Sequence, residues 1–151
     1  MMSGTTRRTF LAGSALLSVV PLAPAGATPD AMAQAIRRLV GDRPVREARV
    51  ALDLPPLVEN GNAVPLTVSV DSPMTESDHV RAIHVFNEKN PQPRVFDATL
   101  GPRNGRAVVA TRIKLGDSQR IVAIAETSRG ELYSASADVI VTLAACLEDL
   151  T

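Results

Sequence analysis

From residue 50 onward, apolar side chains recur at every second position in short runs, and Pro, Asn or Gly punctuates the runs. A period of two puts successive side chains on opposite faces of an extended chain, so each run is expected to be a half-buried strand. Val50, Leu52 and Leu54 alternate with Ala51 and Asp53 and stop at Pro55-Pro56. Val64, Leu66, Val68 and Val70 alternate with Pro65, Thr67 and Ser69, behind the turn signal Asn60-Gly61. Pro65 has no N–H to give a ladder, so it belongs on an edge or near a strand start. Further strands are expected from Val80 to Phe86 and from Arg94 to Leu100. In 106–115, Ala107, Val109, Thr111, Ile113 and Leu115 face one way, and Arg106, Arg112 and Lys114 the other. Ile121 to Ala125 is continuously apolar, as a central strand covered on both faces requires. After a turn at Arg129-Gly130, Leu132 to Ser136 and Val139 to Leu143 make two strands or one bent strand.

About seven strands with turn signals roughly 8–12 residues apart describe a sandwich. The expected fold is therefore all-β, an immunoglobulin-like β-sandwich in architecture, over residues 47–143. It carries no Cys…Trp…Cys pin, because the chain has one Cys and no Trp. At 45% apolar and 3% aromatic residues, the core must be built from Val, Leu, Ile and Ala. Before the sandwich, in 28–46, the spacing changes to that of a helix. Thr28-Pro29-Asp30 is a helix start, with a cap residue, Pro in the first turn and an acid at the positive end of the dipole. Met32, Ile36, Leu39 and Val40 make one apolar stripe, and Gly41 and Pro44 end it. The 151 residues suffice for one such domain.

The N-terminus reads as an export signal over residues 1–27. Thr6-Arg7-Arg8-Thr9-Phe10-Leu11 is a twin-arginine pattern, and Leu11 to Val20 is an apolar run too short to span a bilayer. Ala25-Gly26-Ala27 supplies small residues at the cleavage spacing. The expected location is the periplasm, reached by the twin-arginine route, with no membrane anchor. Removing residues 1–27 takes away Arg7 and Arg8 and no acid, leaving 14 basic and 16 acidic side chains, a net charge of −2. Lys and Arg are scattered, so no nucleic-acid partner is expected.

The only cysteine, Cys146, rules out an internal disulfide. In an oxidising compartment a single cysteine is an intermolecular bridge, a reactive thiol or a buried inert one. Cys146 follows the last strand pattern, which favours an accessible thiol in a C-terminal arm, 144–151. No His or Lys adjoins it, and Glu148 and Asp149 oppose a thiolate. It is thus a poor catalyst alone and a serviceable carrier if another protein activates it. His79 and His84, five residues apart on one strand, point to opposite faces and do not suit one metal. The carboxylate pairs Glu76/Asp78 and Glu148/Asp149 sit in loop or tail. There is no glycine-rich phosphate loop and no nucleophile elbow, so neither a catalytic residue nor a cofactor is expected.

The wording of the chain adds to its periodicity. Leu54-Pro55, the block from Glu59-Asn60-Gly61-Asn62 through Val64-Pro65 to Asp71-Ser72-Pro73-Met74-Thr75, Ile83-His84-Val85-Phe86 and Lys89-Asn90-Pro91 resemble SoxY, the sulfur-carrier family of thiosulfate oxidation. Thr111-Arg112-Ile113 and Val122-Ala123-Ile124-Ala125-Glu126 extend the resemblance, which covers roughly 48–146. It implies an immunoglobulin-like sandwich, no cofactor, and a SoxZ-like partner subunit in a heterodimer. It also implies that Cys146 is the covalent attachment point for sulfur. A haem c enzyme conjugates thiosulfate to such a cysteine, and a sulfate thiohydrolase and a sulfane dehydrogenase then act on the arm.

The family's arm reads Gly-Gly-Cys-Gly-Gly, and this chain has Ala144-Ala145-Cys146-Leu147-Glu148, followed by Asp149-Leu150-Thr151. Alanine is less permissive than glycine, and the acids add negative charge beside the thiol. The altered arm leaves a second reading open: a SoxY-like module that binds a partner, or forms a disulfide-linked dimer through Cys146, without carrying sulfur.

Overall fold

The computed structural model describes residues 26–145 of the chain. The export segment read in 1–27 lies outside these apart from Gly26 and Ala27, and Cys146 and the residues after it lie outside as well.

Helix α1 spans Pro29–Val40. Thr28 caps it, with its hydroxyl oxygen accepting the Ala31 N–H at 3.1 Å. Gly41 ends it at a φ of 59°, where its N–H donates to the Arg37 carbonyl. Both ends fall where the cap residues require, because each satisfies an orphan backbone group of the helix.

Nine strands follow: β1 Val45–Arg46, β2 Val50–Asp53, β3 Leu57–Val58, β4 Val64–Val70, β5 Val80–Asn87, β6 Arg94–Thr99, β7 Ala107–Ile113, β8 Gln119–Thr127 and β9 Leu132–Val141. They form an immunoglobulin-like sandwich. One sheet runs β1-β9-β8-β5-β6, with β3 also pairing β9, and the other runs β2-β4-β7. The strands beyond the expected seven are β1 and β3, each two residues long and parallel to β9. Two residues carry no periodicity, and only their pairing partner makes them strands. The C-terminal pair of strand patterns is one continuous strand, β9.

Alternation decides what each face meets. Ile121, Ala123 and Ala125 of β8 and Ile83 and Val85 of β5 join Val64, Leu66 and Val68 of β4 in the core between the sheets. Ile124 of β8 and Phe86 of β5 face outward, onto Met32 and Val40 of α1. The continuous apolar run in β8 is thus a strand in the middle of its sheet, buried by the second sheet on one face and by α1 on the other. The domain has three layers. β4 is central in its sheet, yet Pro65 is accommodated: β2 pairs only as far as Thr67, so nothing seeks a donor from Pro65 on that side.

Candidate functional site

The chain immediately before Cys146 is bonded to the domain at Thr142, Leu143 and Ala145. Past the end of β9, the Thr142 N–H donates to the Val58 carbonyl at 2.9 Å. The Leu143 carbonyl accepts the Gly61 N–H at 2.8 Å, and the Ala145 N–H donates to the Leu115 carbonyl at 3.0 Å. Leu115 in turn donates to the Gly61 carbonyl at 2.9 Å, and its own side chain is fully buried. Residues 142–144 are exposed, so these backbone hydrogen bonds to segments distant in sequence, and not burial of their side chains, set their position. The domain therefore holds the arm up to the residue preceding Cys146.

Gly61 is the keystone of this root, for a reason other than turn chemistry. Its φ is not left-handed, but a Cβ there would lie 2.2 Å from the Leu115 oxygen and 2.9 Å from the Ala145 nitrogen. Only a residue without a side chain lets the loop before β4, the segment after β7 at Leu115 and the start of the arm meet at one point. Asn60-Gly61 reads in sequence as a turn, and the structure adds close backbone approach as the constraint on Gly61.

Asn90 braces the other side. Its side-chain amide donates to the Lys114 carbonyl at 2.8 Å, and its side-chain oxygen accepts from the Gly116 N–H at 3.1 Å and from Gln119 Nε2 at 3.0 Å. It thereby grips the backbone on either side of Leu115. Its own N–H donates to Asn87 Oδ1 at 2.9 Å. Beside it, Lys89 Nζ meets Asp117 at 3.1 Å, and this hydrogen bond, with one from the Ser118 N–H, lowers the Asp117 pKa. Asn90 lies in the Lys89-Asn90-Pro91 motif, where sequence reading assigns it no role. Its spacing of 24 residues from Lys114 hides the link.

The histidines are held apart. His79, just ahead of β5, has Nδ1 3.0 Å from the Thr75 carbonyl. His84, within β5, has Nδ1 2.5 Å from Asp97, which also pairs with Arg94 at 2.9 Å. Among the described residues no cluster of three or more His, Cys, Asp or Glu could hold a metal ion. Among them, too, no helix is long and apolar enough to cross a membrane. A second charged cluster serves the fold: Glu126 of β8 receives Arg43 at 2.6 Å and Arg81 at 2.7 Å, joining the segment after α1 to the sheet. Burial raises the Glu126 pKa, but the hydrogen bonds and charges of the two arginines outweigh it and hold the carboxyl below its ordinary value.

Comparison with known proteins bears on this geometry. The model of the family described as "Sulfur oxidation protein SoxY" matches residues 36–146, so the match runs from α1 to Cys146. The sulfur carrier protein SoxY from Chlorobium limicola f thiosulfatophilum superposes with a TM-score of 0.63 at 27% identity, covering 76% of this chain and 98% of that one. A superoxide reductase (neelaredoxin) from Ignicoccus hospitalis gives a TM-score of 0.56 at 20% identity, covering 78% and 95%. A superoxide reductase from Nanoarchaeum equitans gives 0.54 at 12%, covering 64% and 100%. At such identities the two reductases share the fold alone. A search of curated protein sequences finds no match. The matched span, the superposed sandwich and the arm root at the end of that span agree: the chain belongs to the SoxY family of sulfur oxidation proteins.

Proposed function

We propose that this chain is a periplasmic carrier that holds sulfur intermediates covalently on Cys146 during thiosulfate oxidation. The observation that carries the reading is the coincidence of two limits. The family match ends on Cys146, and the backbone pairing to the domain reaches Ala145. A cysteine that follows a hydrogen-bonded root in sequence supports the carrier reading, because the domain fixes where the arm begins.

The chemistry follows from a thiol with no base of its own. In conjugation, the Cys146 thiol and thiosulfate lose one proton and two electrons and form an S–S bond, giving a cysteine S-thiosulfonate. The electrons pass to the haem c of a conjugating enzyme. Hydrolysis by a sulfate thiohydrolase then releases sulfate and a proton and leaves a persulfide, on which a sulfane dehydrogenase works. The chain supplies the tether and the nucleophilic sulfur. A SoxZ-like subunit completes the heterodimer, and the twin-arginine segment delivers the chain to the periplasm.

The test is to incubate the heterodimer with thiosulfate and the conjugating haem enzyme and weigh the intact chain. The expected result is a thiosulfonate or persulfide adduct on Cys146 that is absent from Cys146→Ser. No adduct, under conditions that load a variant with a Gly-Gly-Cys-Gly-Gly arm, overturns the carrier reading. A disulfide-linked dimer lost in Cys146→Ser, with sulfur oxidation unchanged, would assign the cysteine to linking instead.

A further inference from the structure

The small residues ahead of α1 offer a signal peptidase two bonds. Ala25-Gly26-Ala27 marks the bond to Thr28. Ala23-Pro24-Ala25 has the same small residues at its first and third places and marks the bond to Gly26. By pattern the two are equivalent, and the fold makes them unequal.

Ala27 is part of the domain. It is only 8% exposed, and its N–H donates to the Asn90 carbonyl at 2.9 Å. Gly26, one residue earlier, is exposed, and a Cβ there would meet nothing within 4 Å. Thr28 follows as the cap of α1. Its hydroxyl oxygen accepts the Ala31 N–H at 3.1 Å, and its carbonyl accepts the Met32 N–H at 2.8 Å. The chain thus passes directly from a buried anchor into the helix. The anchor point is shared: the Asn90 side chain also holds Lys114 and Gly116, on either side of Leu115 at the arm root.

A peptidase of this specificity takes the residues before the bond it cuts into its own pockets, with the small side chain next to the bond inserted deepest. Cutting after Ala27 requires that residue to leave the domain and its hydrogen bond to Asn90 to break. It also leaves an ammonium on Thr28, at the positive end of the α1 dipole, where a cation is unfavourable. Cutting before Gly26 disturbs neither feature: Ala27 keeps its place, and the new ammonium sits on an exposed residue two positions before the cap. A domain that is folded when the peptidase meets it presents this difference at the moment of the cut.

We propose that Gly26 and Ala27 belong to the mature chain as the N-terminal anchor of α1, and that the signal peptidase hydrolyses the Ala25–Gly26 bond. Water adds across that amide, leaving a carboxylate on the released segment and an ammonium on Gly26. The position of the cut rests on the proposed export. The anchoring by Ala27 does not.

The test is to recover the chain from the periplasm and read its first residue by intact mass and N-terminal sequencing. Gly26 is expected. Thr28 as the first residue overturns the proposal and leaves the export reading standing, whereas a chain held uncleaved in the cytoplasm overturns both. Ala23→Asp puts a charge into the upstream pattern and changes no residue of the downstream one. It should accumulate as precursor, and processing as fast as in the parent counts against the upstream bond. Two chains made with their N-termini at Gly26 and at Thr28 separate anchoring from export. Hydrogen exchange at the Ala31 and Met32 amides should be faster in the shorter chain, on the order of fivefold, as the loss of one hydrogen bond predicts. Equal exchange in the two chains would remove the anchor and the reason for the choice of bond.

Discussion

At Gly61 the missing side chain does more than the backbone freedom that glycine usually supplies. Gly61→Ala must push a Cβ into the Leu115 carbonyl at 2.2 Å, a backbone atom that cannot swing aside. Overpacking of this kind costs about 1–3 kcal/mol. We expect Gly61→Ala to lower the denaturation midpoint by that amount and to speed hydrogen exchange at the Ala145 and Leu115 amides, with exchange in β8 changed only through the global term. Unchanged exchange at Ala145 would show that the arm root does not depend on the close approach. Cys146 differs in kind: its sulfur has no neighbour in sequence to activate it, so in the proposed carrier role another protein must do so.

At the scale of elements, α1 is joined to the sheet in two ways. Its apolar stripe covers Phe86, Ile124 and Leu132. Beyond its end, Arg43 reaches across to Glu126, and Arg43 also donates back to the Val40 and Leu39 carbonyls. The carboxylate is mostly buried and the arginines are half exposed, so solvent screens part of the attraction. The folded Glu126 pKa lies below its ordinary value. The stability this contributes is present above the ordinary carboxylate pKa and is lost as pH falls through the folded value. Glu126→Gln is expected to cost about 1 kcal/mol near neutral pH. The same substitution should flatten the loss of stability on acidification below about pH 4, measured by denaturant titration across pH. An acid limb as steep as the parent's would place the acid sensitivity elsewhere, for instance at Asp138, whose pKa the Arg120 pair also lowers.

For the whole molecule, the order of events matters. In the proposed export by the twin-arginine route, folding comes before translocation. Replacing Arg7 and Arg8 by Lys keeps the charge and removes the pattern. We expect the R7K/R8K chain to accumulate in the cytoplasm with its N-terminal segment uncleaved, read by cell fractionation and intact mass. Secretion of that variant at the parent level would point to another route. The sandwich itself should be indifferent to the change, because its core lies between β2-β4-β7 and β5-β8-β9, far along the chain from the signal.

The strands and the helix are written locally. Alternation in 64–70 and 107–113, the Thr28 and Gly41 caps and the unbroken run 121–125 each report an environment through a handful of consecutive residues. Periodicity is a record of which side is buried, so β4, β7, β8 and α1 can be read without a partner in view. Cys146 could likewise be singled out by being the only thiol, and the wording of 59–75 pointed to the family. What the chain order concealed depends on contact between distant segments. The two-residue strands β1 and β3 exist only because β9 pairs with them. Asn90 grips 114 and 116, and Gly61 meets Leu115 and Ala145, across separations that no spacing rule spans. Hydrogen bonds and close approach act through space and leave no period in the sequence. The lone thiol was therefore legible from the start, and only the tertiary structure showed that the domain grips the chain to within one residue of it.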